Sequence, residues 1–191
     1  MPFSGEGREI ARLCGVALAL VLAVAGCTSR GAVLTPSVVC KLLDQNNVRS
    51  YGSTFATNPF LAPSALFRGT PDEFVVVEVD LALPDRRRVD IAGSVVDSSR
   101  ATVAPLYDLR QMHDYWARWG DMGNRDAWTR GATLEQYYPP SLEFEAHGGR
   151  SVYVIVLIGK RPLPRPADVV VSVSLGGAEP QLFTFTLPAA S

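Results

Sequence analysis

Histidine and cysteine are scarce in this chain, and their scarcity excludes much of the chemistry a protein can do. Of 191 residues, two are histidines and three are cysteines. His113 and His147 lie 34 positions apart, with no second histidine at metal-ligand spacing around either. His113 and Asp114 are adjacent on a helical pattern, so they point to different faces and do not form a base and its orienting partner. Asp121, Asn124 and Asp126 carry oxygen ligands without the spacing of a calcium loop. A Gly-x-Ser-x-Gly elbow and a phosphate-binding glycine loop are both missing. No catalytic, cofactor-binding or metal-ligating residue is therefore assigned, and a non-enzymatic protein is expected. An excess of one charge is lacking too: 18 basic residues face 19 acidic ones. Nucleic acid is accordingly not expected as a partner, because phosphate binding needs a basic surface.

What the chain does have begins at its amino terminus. Arg8 and Arg12 precede an apolar run from Leu13 to Ala25, 13 residues long. That is the length of a signal-peptide core and too short for a membrane-spanning helix. The run closes on Leu22-Ala23-Val24-Ala25-Gly26-Cys27. This segment resembles the lipobox of bacterial lipoprotein signal peptides. The resemblance implies removal of residues 1–26, a lipid attached to Cys27, and a membrane as the first partner. Thr28, where a retention signal has Asp, implies sorting to the outer membrane of the cell envelope. The plainer alternative is an ordinary secretory signal cut after Val24-Ala25-Gly26.

Removing 26 residues leaves 165, enough for one domain with a real core. Cys14 departs with the leader and Cys27 is committed to lipid, so Cys40 has no thiol to pair with and the fold must stand without disulfides. On the apolar side of its segment, Cys40 reads as a small buried hydrophobe.

Hydrophobic period then gives the fold class: mainly β, an antiparallel β-sandwich of about six or seven strands with a short amino-terminal helix and one inserted amphipathic helix. From Phe74 to Leu83, Val75, Val77, Val79, Leu81 and Leu83 share a face opposite Glu78 and Asp80. Val89, Ile91, Gly93 and Val95 resume the pattern after Pro84-Asp85, and the two runs read as a hairpin. A short edge strand is expected over 101–107, limited by Pro105. Leu142, Phe144 and Ala146 alternate before the His147-Gly148-Gly149 turn, and the run 152–158 is apolar on both faces, as in a central strand. Val169 to Leu175 and Phe183 to Leu187 close the domain around Gly176-Gly177. Residues 27–71 read as a lipid tether with a short helix begun by Thr35-Pro36 and carrying Val38, Val39, Leu42 and Leu43. The sandwich is expected over 72–188, with its helical insertion near 109–131.

All three tryptophans fall in that insertion. Leu109, Met112, Tyr115, Trp116 and Trp119 follow helical spacing and are expected to pack on the sheet, whereas Trp128 lies off the stripe and is expected to be exposed. Trp119 and Trp128 are the candidate ligand or partner contacts, by stacking on sugar rings or anchoring an interface. Arg86, Arg87 and Arg88 form a basic turn that is a further candidate contact, and Lys160 to Pro166 reads as a stiff, extended connection. The strand pattern resembles the immunoglobulin-like and transthyretin-like sandwiches of bacterial envelope lipoproteins. That resemblance implies a structural or protein-interaction module with an envelope protein partner. Two alternatives stay open: a small-ligand or glycan-binding module, and an accessory lipoprotein of a secretion system, such as the small transthyretin-like lipoprotein of type VI secretion.

Overall fold

The computed structural model describes residues 35–62 apart from 53, 55 and 56, then 72–118 and 124–187, with the backbone alone for 124–127. The predicted leader and Cys27 lie outside these residues, as does Trp119. Eight strands and three helices follow in the order β1 (Ser37–Leu43), α1 (Gln45–Arg49), β2 (Asp72–Leu83), β3 (Arg87–Val96), β4 (Thr102–Pro105), α2 (Leu109–Arg118), α3 (Asn124–Tyr137), β5 (Glu143–Ala146), β6 (Gly149–Lys160), β7 (Ala167–Leu175) and β8 (Gln181–Leu187). The chain is mainly β, as its period implies.

The strands make two antiparallel sheets. One has the order β1-β2-β6, and the other β4-β3-β7-β8 with β5 also on β3. Because β7 pairs with Val89–Val96 of β3, both β4 (on Ser94–Val96) and β5 (on Arg87–Asp90) lie along the opposite edge of that strand. Between the sheets, Val75, Val77, Val79 and Leu81 of β2 share one core with Val89, Ile91 and Val95 of β3 and Val169, Val171 and Val173 of β7. A second core covers the outer face of the three-stranded sheet, where Val76, Val154, Val156 and Ile158 meet Met112, Tyr115 and Trp116 of α2, Leu134 of α3 and Tyr138 just beyond it.

Four expectations are corrected. The helix expected after Thr35 is a strand: Val38 and Cys40 face the sandwich core while Val39 is exposed, a period of two that β-branched residues favour once β2 offers a free edge. Only Gln45–Arg49 is helical, capped by Asp44, whose carboxylate accepts from the Asn47 amide at 2.8 Å. The sandwich thus starts at Ser37, inside the segment expected to be tether. Second, β2 and β3 do not form a hairpin: the chain crosses at Pro84–Arg86 from one sheet to the other, and the apolar faces of both strands meet across the core. Alternation reports a buried face but not whether its partner lies beside it or opposite. The turn after β5 is a crossover of the same kind.

Third, β6 is last in its sheet rather than central; its doubly apolar run is explained by the helices on its outer face. Its free edge is closed by the bridge between Leu106 and Leu157 and by Tyr138, whose hydroxyl accepts from the Val156 amide at 3.1 Å and donates to the Tyr107 carbonyl. Fourth, the insertion holds two helices. α2 is fixed by a reciprocal cap in which the Asp108 amide donates to Gln111 and the Gln111 amide donates to Asp108, at 2.8 and 2.6 Å. α3 continues through Gly131, a residue that weakens the helical pattern in sequence. The connection after Lys160 is held in place: Leu163 is buried, its amide donates to Glu73 at 3.1 Å, and Arg165 pairs with the same carboxylate at 2.5 Å.

Candidate functional site

The outer face of the three-stranded sheet is only half covered, and the boundary can be followed row by row across β1, β2 and β6. Leu43, Val76 and Val156 form the first row, all buried beneath the helical layer. In the second, Lys41 is exposed, Glu78 half-buried and Val154 buried. Val39, Asp80 and Val152 make the third row, where Val39 is 57% exposed and Val152 37%. Ser37, Ala82 and Arg150 make the last. The helices therefore stop short, leaving one valine on either side of a carboxylate.

The polar groups of this strip are held in place. Arg150 grips Asp80 with two nitrogens, Nε at 3.0 and 3.1 Å from the carboxylate oxygens and Nη2 at 2.6 Å. Such a fork fixes direction as well as charge. At the border with the helices, the Tyr51 hydroxyl donates to Glu78, and its ring stands edge-on to Phe60 and Tyr137. Burial, reinforced by the Glu78 carboxylate, pushes the Tyr51 phenol above its ordinary pKa and keeps it a donor. The strip thus presents two exposed apolar side chains beside an ion pair whose charges already satisfy each other. None of these groups is placed as a nucleophile.

The two described tryptophans, Trp116 and Trp128, stand in different environments. Trp116 belongs to the second core: its indole N–H donates to the Pro59 carbonyl at 3.1 Å, and the Arg130 guanidinium lies 4.1 Å from its ring centre. Trp128 is 76% exposed on α3. A cleft of about 500 Å³ opens between the end of β1, α1 and the 160–166 connection, lined by Leu43, Phe60, Phe74, Glu73 and Arg161 among others. Neither Trp116 nor Trp128 lines it.

The arginine turn is balanced rather than free. Arg86 pairs with Glu145 at 3.5 Å, Arg87 with Asp85 at 2.7 Å, and Arg88 with both Asp90 and Glu143 at 3.0 and 2.5 Å. Three arginines thus face four carboxylates, three of which come from pairing with β5 or from β3 itself. In sequence, Glu143 and Glu145 are more than fifty positions away, so the run looks basic there. Cys40 is buried in β1, and desolvation pushes its thiol up to about 12, which removes it as a nucleophile near neutral pH.

Val39, Asp80 and Val152 are the residues that sequence reading missed. The signal was present in β6, whose outward positions stay apolar as far as Val152, beyond the reach of the inserted helices. Among the described residues no group of three or more His, Cys, Asp or Glu is arranged to hold a metal ion, and no described helix is long and apolar enough to cross a membrane. No protein-family model, curated protein or solved structure matches the chain.

Proposed function

We propose that this chain is a lipid-anchored lipoprotein of the bacterial cell envelope, tethered at the outer membrane through Cys27, that acts by protein contact and not as an enzyme. The observation that supports contact is the open strip of Val39 and Val152 around the Asp80–Arg150 pair, a rigid sheet surface left bare beside a helical layer that covers its other half. Ser37 enters the sheet ten positions after Cys27, so a lipid there holds the sandwich within about 35 Å of the membrane even with the chain fully extended. A partner is then met at a restricted height above the bilayer.

A photo-crosslinking residue placed at Val39 or Val152 in cells tests this reading. Capture of one stoichiometric envelope protein, lost when Val39→Asp is introduced, is the expected result. Indiscriminate or absent labelling at both positions overturns it. Cys27→Ala is expected to abolish acyl labelling and free the protein from membranes; labelling that persists refutes the anchor. The exposure of Trp128 favours a second reading, a glycan-binding module. A saturable fluorescence shift against a glycan panel, abolished by Trp128→Ala, would support that reading over the first.

A further inference from the structure

A sandwich of two open sheets has edges, and an unprotected edge strand is a template for another strand. Three of the four edges here are blocked. β1 carries exposed Lys41 near its middle. The β4/β5 edge contains Pro105 and exposed Glu143 and Glu145. β6 is closed by the Leu106–Leu157 bridge and by Tyr138. The fourth, β8, reads Gln181-Leu182-Phe183-Thr184-Phe185-Thr186-Leu187, without charge and with its prolines only outside the strand, at 180 and 188. Among the described residues β8 pairs with β7 alone, apart from its Leu187 end, which approaches Leu42 and Leu43 of β1 at the cleft.

We propose that β8 is a homodimerisation edge, at which two copies of this chain pair antiparallel about Thr184. The strand is self-complementary around that residue. Thr184 meets its own copy, Phe183 meets Phe185, and Leu182 meets Thr186. The offset keeps odd residues opposite odd ones, so each face stays on its own side of the joined sheet. On the core side, Phe183 and Phe185 are only partly buried, and they pack at the margin of the inter-sheet core. The second copy's rings would complete that cover, with cross-strand aromatic pairs of the kind that stabilise sheets. On the outer side, Leu182 is 70% exposed, and it gains a threonine methyl to pack on. No like charges meet anywhere along the run, which distinguishes a second copy from a charged peptide as occupant. The surface lies on a different sheet from the Val39–Val152 strip and does not depend on the tether.

Oxidative crosslinking of the full chain in cell membranes tests the register. Thr184→Cys places two thiols on directly opposed residues, about 4.5–5.5 Å apart, within disulfide range. A dimer on a non-reducing gel, absent from the unsubstituted chain, is expected. Leu182→Cys alone should link poorly, because its copy sits four residues away, about 13 Å. Co-expressed with Thr186→Cys it should link efficiently. The proposal fails if Thr184→Cys stays monomeric, if Leu182→Cys alone links as well as Thr184→Cys, or if the thiol joins a different protein.

Discussion

Replacing Tyr138 by Phe removes one oxygen and keeps the ring. Tyr138 is 2% exposed, and its hydroxyl joins two backbone groups that have no neighbouring strand, the Val156 amide and the Tyr107 carbonyl. The phenylalanine leaves both inside the second core without that partner. Each buried polar group left unmade costs about 1–3 kcal/mol, so the pair should cost roughly 2–4 kcal/mol once some relaxation is allowed. For a domain of this size each kcal/mol moves Tm by about 2–4 °C, which places the expected drop at roughly 5–15 °C. Ring packing against Phe60, 6.4 Å away and nearly parallel, is retained, so the loss isolates the hydrogen bonds. Urea unfolding followed by tryptophan fluorescence gives the free energy, with buried Trp116 as reporter. A loss under about 0.5 kcal/mol would show that the hydroxyl is not what closes the edge of β6, and the account of that edge would be wrong.

Trp116→Ala should cost about 3–5 kcal/mol while Trp128→Ala stays within about 0.5 kcal/mol; equal losses in calorimetry would contradict their assigned environments. Gly159→Ala should destabilise by about 1–3 kcal/mol, because an added Cβ would lie 2.6 Å from the Val103 carbonyl oxygen and 2.5 Å from Leu163, and an unchanged urea midpoint would refute that crowding. Cys40 should resist thiol reagents at pH 8 in the folded protein and react on unfolding; rapid native labelling would show that the strand opens. Asp97 is held below the usual carboxylate range by the Ser99 hydroxyl and then by the Ala101 amide. A lowered folded pKa contributes stability above the unfolded value near 4 and loses it as pH falls through the folded one. Asp97→Asn should therefore flatten the acid-side fall in urea midpoint, and parallel curves for the two proteins would count against the turn's role.

The period of two in β2, β3 and β7 was legible because each strand has one face in a single core. The same signal misled where context decided. Val38-Val39 and Leu42-Leu43 satisfy a helical stripe and a strand alike over seven residues, and only the free edge of β2 selects between them. Whether successive strands pair or cross depended on Pro84–Arg86 spanning the sandwich, a long-range matter that local pattern does not contain. For the same reason the arginine run looked like a basic patch until β5 brought its glutamates alongside. The open strip was hidden, since its emptiness is a property of where two helices end.

The excursion leaves one edge of β3 after β4 and returns to that same edge as β5, yet its helices seat on the far sheet. The chain thus forms a strap whose ends are stitched to one layer and whose middle is glued to the other. Neither layer can peel away without lifting it. The sandwich and the helical layer should therefore open together, and the most slowly exchanging amides of β6 and β7 should share one opening free energy despite lying in different sheets.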